Sequence, residues 1–199
     1  MSPHPAAAPL TDQALLTQAA AGDLDAFGVI YGRYRQVVYR FARAMTGTAD
    51  AADDITHDAF LAVLSEAARF DARRASLSTY LYGIVRNLCR AHLRRSSRLQ
   101  SMDGHATAWL ATAAGDPLAD AQMAALVRRA LATLPSRYRE LVLLCDLHEL
   151  SYADAAHVVG ASVPAVRSRL HRGRRLLRAA VSSQMAPPVP ALKPARCAS

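Results

Sequence analysis

Residues 150–175 read LSYADAAHVVGASVPAVRSRLHRGRR, and two helices with a break between them can be read straight from the lettering. Ser151 stands immediately before the periodic run Tyr152–Val159, where its hydroxyl can accept from an amide of the first turn. Gly160 closes that run at the position that favours a left-handed residue. Ser162 then opens a second helix whose first turn contains Pro164, a site where the missing N–H is not needed. At about 100° per residue, Val166, Leu170, Gly173, Leu177, Ala180 and Val181 share one arc. Arg167, His171, Arg172, Arg174, Arg175 and Arg178 line the rest. Six arginines and no acid lie between Val163 and Val181. Like charges this close on one helix repel, and a bound polyanion relieves the repulsion. A basic second helix after a tight turn is the helix-turn-helix pattern, which lays a helix N-terminus in the DNA major groove. An αα-hairpin inside a bundle is the alternative these residues leave open.

Working outward, the excess charge follows the same stretch. The chain has 199 residues, 24 Lys+Arg against 16 Asp+Glu and a net charge of +8, a balance suited to a polyanionic partner. Residues 126–199 hold 12 basic and 4 acidic side chains, whereas residues 1–95 hold 11 and 9. Lys193 is the one lysine, so a codon bias toward arginine would raise the count by itself, and the placement of the arginines has to carry the argument. Within the first half, Asp50, Asp53, Asp54 and Asp58 occur without a base among them. Residues 69–95 hold seven arginines against Asp71 alone. One part of this half repels DNA and the other attracts it.

Ala, Leu and Arg, good helix formers, dominate, and no Asn-Gly or Asp-Gly turn joins alternating segments. The fold class expected is all-α, two small helical domains joined by a flexible linker, the C-terminal one carrying the helix-turn-helix. Helices are expected at about 12–21, 25–45, 51–68, 77–95, 118–134, 136–148, 152–159 and 163–181, with Gly22, Gly47 and Gly160 as C-terminal caps. The domain reading is an N-terminal extension at 1–22, a first unit at 23–95, a linker at 96–117, a second unit at 118–181 and a disordered tail at 182–199. Trp109 and Leu110 are possible anchors in the linker, and Pro187, Pro188, Pro190 and Pro194 bar a helix in the tail.

Leu77–Arg95 also sorts its faces. Leu77, Tyr80, Leu81, Ile84, Val85, Leu88 and His92 fall in one arc, and Arg86, Asn87, Arg90 and Arg94 fall on the other side. Arginines beside an amide suit a ligand with both phosphates and base edges, although a solvated polar face has the same pattern.

Two sets of motifs resemble a known family. Leu134-Pro-Ser-Arg-Tyr-Arg-Glu-Leu141, Leu150-Ser-Tyr-Ala-Asp-Ala-Ala156 and Ser162-Val-Pro-Ala-Val-Arg-Ser-Arg-Leu-His-Arg-Gly-Arg174 are similar to the fourth conserved region of bacterial extracytoplasmic-function (ECF) sigma factors. Asp54-Ile-Thr-His-Asp-Ala-Phe60, Ser78-Thr-Tyr-Leu-Tyr-Gly-Ile-Val-Arg-Asn-Leu88 and Arg94-Arg95 resemble the second. The chain departs from the usual pattern at His57 (usually Gln), Tyr80 (Trp), Ala91 (Asp), Asp154-Ala155-Ala156 (Glu-Ile-Ala) and Pro164-Ala165 (Gly-Thr).

The resemblance implies that the first unit binds core RNA polymerase through Asp54, His57, Asp58 and Phe60. It implies that Phe70, Arg73, Arg74, Ser76, Arg86, Asn87, Arg90 and Arg94 take the unpaired minus-ten strand. Ser162, Arg167, Ser168, Arg169, His171, Arg172 and Arg174 would meet the minus-thirty-five duplex, with Arg169 and Arg174 on phosphates. Core RNA polymerase, promoter DNA and an anti-sigma protein are the partners implied. No cofactor, metal, catalysis or small-molecule substrate is expected.

Two rival readings are open. Cys89 with His92 and Cys145 with His148 each place a thiol and an imidazole on one helix face, so a shared zinc site and an enzyme are conceivable, although buried cysteine as a small apolar residue is the better reading of both. A dimeric helix-turn-helix regulator acting without polymerase is the other. Three cysteines are too few for a disulfide framework, Met1–Leu10 lacks a basic start with an apolar core, and no run spans a bilayer, so the cytoplasm is the expected compartment.

Overall fold

A computed structural model of the chain describes residues 10–103 and 119–185. Eight α-helices occur among the described residues: α1 Asp12–Ala20, α2 Leu24–Thr46, α3 Ala49–Ser65, α4 Leu77–Asp103, α5 Ala119–Thr133, α6 Ser136–Val142, α7 Tyr152–Val159 and α8 Val163–Met185. A short 3₁₀ turn, Ala67–Arg69, follows α3, and a π-type turn, Leu143–Leu147, continues α6.

Local chemistry sets the ends. The Asp23 carboxylate accepts from the amides of Asp25 and Ala26 at 2.9 and 3.0 Å and starts α2, which ends at Gly47 with φ of 87°. Ser151 accepts from the Asp154 amide at 3.1 Å and starts α7, and Gly160 ends it with φ of 65°. Both glycines sit in left-handed backbone, where a Cβ is penalised. Ser162 accepts from the Ala165 amide at 3.4 Å at the head of α8.

Three boundaries differ from the sequence reading. α4 continues through Asp103, so Ser96–Asp103 is helical rather than linker; its lettering, SSRLQSMD, carries no sustained apolar period to announce it. α8 continues to Met185, so Ser182–Met185 belongs to that helix, not to the tail. The third concerns α1, which is no extension: Leu15, Leu16 and Ala19 are buried in the first unit's core, and Asp12 accepts from Arg33 at 2.9 Å and from the Tyr34 hydroxyl. Trp109 and Leu110, the prolines 187–194 and Cys197 lie outside the described residues.

In the first unit α1–α4 surround Leu16, Ile30, Phe41, Met45, Phe60, Leu77, Leu81 and Val85. In the second, α5–α8 surround Leu134, Leu141, Leu144, Val166 and Leu170. α8 crosses α6 at Gly173, where an added Cβ would lie 3.0 Å from Val142 Cγ2 and 3.4 Å from Tyr138 Cβ. The two cores meet as one apolar cluster. His148 lies against the rings of Phe41 and Tyr82, with centroids 5.9 and 5.0 Å apart, so the two units are packed on each other.

Candidate nucleic-acid interface

On α8 the faces divide as the wheel requires. Val166, Leu170 and Gly173 are buried, whereas Arg167, Ser168, Arg169, His171 and Arg172 are exposed in a contiguous patch over its first three turns. The Arg167 guanidinium lies 5.7 Å from the centre of the Tyr152 ring, a cation–π contact that holds it near the mouth of the turn. Ser162 is exposed but spends its hydroxyl on capping α8. Arg174 is committed elsewhere. It makes three hydrogen bonds of 2.5–3.2 Å to the Asp146 carboxylate, and those bonds raise its already high pKa.

The loop before α4 is tied down from within. Asp71 accepts from the Arg73 amide at 3.0 Å and from its guanidinium at 3.1 and 3.2 Å, which together hold its carboxyl below the usual range. The Ala72 amide donates to Gln13 Oε1 on α1 at 3.3 Å. Ser76 accepts from the Thr79 amide at 3.2 Å and contacts the hydroxyls of Ser78 and Thr79, so it is the N-cap of α4. Arg73 and Arg74 project outward. Phe70 does not: it is 6% exposed, with its ring 5.6 Å from that of Tyr80. The Tyr80 hydroxyl donates to Glu66 Oε2 at 3.1 Å. Phe70 therefore seats the loop from inside rather than facing solvent.

Along α4, Asn87, Arg90 and Arg94 are exposed on one face, as read from the wheel. Arg86 is not with them. It is 8% exposed, donating from Nε and Nη2 to the two carboxylate oxygens of Glu140 at 2.9 and 3.3 Å, with Nη1 3.5 Å from the Val158 carbonyl. Glu140 and Val158 belong to the second unit, a pairing no wheel of α4 can show.

α3 presents Asp50, Asp53, Asp54, His57 and Asp58 to solvent. Phe60 lies on the opposite side, 2% exposed, its ring 4.8 Å from Tyr31 and 6.3 Å from Phe27. Its place beside the acids is taken by Leu61, 52% exposed. Spacing alone points to Leu61, since it follows His57 and Asp58 by four and three residues and so shares their face.

Among the described residues no three His, Cys, Asp or Glu side chains converge as a metal site. Cys89 is fully buried and its thiol is pushed up to about 12 by that burial, as a small core residue would be. No helix among the described residues is long and apolar enough to cross a membrane.

Together these features define, among the described residues, an all-helical protein of two units, one of which carries a helix-turn-helix with an exposed arginine-rich second helix. Two family models match it: Sigma-70 region 2 over residues 30–99 and Sigma-70 region 4 over residues 124–177. The chain is 34% identical over 169 residues to the ECF RNA polymerase sigma factor SigM of Mycobacterium tuberculosis, covering 84% of this chain and 83% of the relative. It is 28% identical to the ECF RNA polymerase sigma factor SigW of Bacillus subtilis, covering 82% and 92%. Among solved structures, CnrH in complex with the cytosolic domain of CnrY superposes with a TM-score of 0.64 at 27% identity, covering 86% of this chain and 97% of that one. The sigma factor RpoE of Bartonella quintana, solved with the anti-sigma factor NepR, shares the fold with a TM-score of 0.66 at 24% identity, covering 78% and 96%. The chain belongs to the ECF RNA polymerase sigma factors.

Proposed function

We propose that the chain is an alternative sigma factor that binds core RNA polymerase in the cytoplasm and directs initiation at promoters it reads at two elements. The observation that carries this reading is the presence of exposed arginine-rich faces on two helices, α4 and α8, one in each unit, beside one acidic face on α3. A regulator that binds duplex DNA alone has no use for the second cationic face or the acidic one.

On this reading Arg167, Ser168, His171 and Arg172 enter the minus-thirty-five major groove, with Arg169 on its phosphates. A bidentate arginine–guanine pair there contributes about 1–3 kcal/mol of discrimination. Asn87, Arg90, Arg94, Arg73 and Arg74 meet the unpaired minus-ten strand, where phosphate contacts supply salt-sensitive affinity. Phe70 and Ser76 shape the loop without touching DNA. Asp54, His57 and Asp58, with Leu61 in place of Phe60, form the surface for core polymerase. The chain itself catalyses nothing; the chemistry belongs to the polymerase. Control by an anti-sigma protein is supported by RpoE, solved with the anti-sigma factor NepR; CnrH is likewise solved with a bound protein segment, the cytosolic domain of CnrY.

Initiation from a randomised promoter library with core polymerase tests the reading. The chain is expected to restore initiation and to enrich two sequence blocks one fixed distance apart. Enrichment of a single palindromic block, or transcripts only when another sigma factor is added, identifies a dimeric regulator instead.

A further inference from the structure

A groove of about 380 Å³ is lined by Arg86 and Arg90 of α4, by Arg137, Tyr138 and Glu140 of α6, and by Arg169 of α8. Glu140 is the one acid among the lining residues, and both of its carboxylate oxygens already accept from Arg86, at 2.9 and 3.3 Å. Arg90, Arg137 and Arg169 are exposed, and none of the three joins an ion pair among the described residues. Three helices therefore bring three guanidinium groups to one concave space, with no carboxylate left to answer them.

Arg137 has no part in the promoter contacts proposed above. Its guanidinium lies 4.7 Å from the centre of the Tyr138 ring, and that ring is buried. A cation laid on a fixed ring is held at the groove before any ligand arrives, which lowers the freedom lost on binding. A smaller groove of about 210 Å³ shares Arg90 and continues to Arg94, past Ser136 at the head of α6, so the cationic lining is elongated rather than a single point.

Charge and size narrow the ligand. A cleft lined by one sign of charge between low-dielectric walls concentrates ions of the opposite sign. A volume near 380 Å³ falls at the lower end of the range of about 300–1,000 Å³ that holds one small molecule. Each arginine presents a planar fork that matches a phosphate at two points. One carboxylate or one orthophosphate answers one fork and leaves the others facing each other, whereas a row of phosphates answers all three.

We propose that this groove binds a short linear polyphosphate, whose successive phosphates are held by Arg90, Arg137 and Arg169. That chain of phosphates is common to inorganic tripolyphosphate and to nucleoside triphosphates. The inference stands apart from the sigma-factor reading: if that reading fails, the wild-type chain restores no initiation to core polymerase, and polyphosphate binding is untouched.

The test is isothermal titration calorimetry of the full chain with sodium tripolyphosphate, ATP and orthophosphate. It is run at about 0.15 M salt, where exposed charges more than about 8 Å apart are largely screened. Wild type is compared with Arg137→Gln, Arg169→Gln and Arg175→Gln. Arg175 is exposed on α8 outside the groove, so the last variant controls for the loss of one charge. All three positions are exposed, and circular dichroism checks that each variant keeps its helices. Wild type is expected to bind one tripolyphosphate per chain, at least tenfold more tightly than orthophosphate. Arg137→Gln and Arg169→Gln are each expected to weaken that binding roughly tenfold, and Arg175→Gln less than twofold. ATP bound as tightly as tripolyphosphate identifies a nucleotide as the source of the phosphates, and weaker ATP binding an inorganic chain; both support the site. Equal weakening by Arg137→Gln and Arg175→Gln, or several tripolyphosphates per chain, would be diffuse attraction to a cationic surface and overturns it. So does orthophosphate bound as tightly as tripolyphosphate, or tripolyphosphate that shows no saturable binding.

Discussion

His148 shows how much one side chain can depend on its surroundings. It sits at the end of the π-type turn, half-buried between Phe41 and Tyr82, and its Nε2 has no hydrogen-bond partner among the described residues. Loss of solvent, and then the nearby positive charge of Arg40, push its pKa down to about 4. The unfolded chain takes up a proton near pH 6.5 and the folded one near 4, so the unfolded state binds more protons between those values. Stability therefore rises with pH across this window and is flat above it. The full shift would be worth about 3 kcal/mol at 1.36 kcal/mol per unit, and solvent beside a half-buried ring reduces it to about 1–2. Urea unfolding at about pH 7 and pH 5 is expected to show wild type losing about 1 kcal/mol more than His148→Phe, which keeps a ring and cannot titrate. Equal losses would mean that His148 is not held neutral. None of this is legible in the sequence, where Cys145 and His148 at i,i+3 suggested a metal pair; the aromatic partners come from helices some 65 and 105 residues earlier.

At the level of elements the sequence is far more informative, because caps and apolar periods are local. Ser151, Gly160 and Ser162 act where their chemistry placed them, and the buried arc of α8 is the one its spacing defines. Errors arise where a helix continues without an apolar period, as at Ser96–Asp103, or where one aromatic is assigned to the wrong side, as with Phe60. Gly173 tests how tightly α8 is set against α6. A helix interior normally loses about 1 kcal/mol to glycine relative to alanine, but here the missing Cβ lets α8 approach Val142 and Tyr138. Gly173→Leu supplies a good helix former, so its effect isolates crowding. It is expected to destabilise the second unit by about 2 kcal/mol, read as a lower urea midpoint, with weakened binding to minus-thirty-five duplex. A stability equal to wild type would show that the crossing can spread without loss.

Across the whole molecule, segment-by-segment charge correctly separated acidic α3 from the arginine-rich helices, since surface charge depends little on how units are arranged. It could not reveal which arginines are already neutralised. Arg86 is matched by Glu140 and Arg174 by Asp146, partners 54 and 28 residues away in the chain, so α8 offers fewer available cations than its sequence displays. Counterion release makes that difference measurable. Each phosphate contact steepens the dependence of log affinity on log salt concentration by about 0.9. For minus-thirty-five duplex binding, Arg169→Ala, at an exposed arginine assigned to phosphate, is expected to lower the slope by about 1. Arg174→Ala is expected to lower it by much less, because removing a guanidinium already paired with Asp146 releases few counterions. Asp146→Asn, which leaves Arg174 unpaired beside the groove, is expected to steepen the slope instead. Equal losses for Arg169→Ala and Arg174→Ala would mean that DNA takes Arg174 from Asp146, and that the carboxylate merely holds the side chain in place until the phosphate arrives.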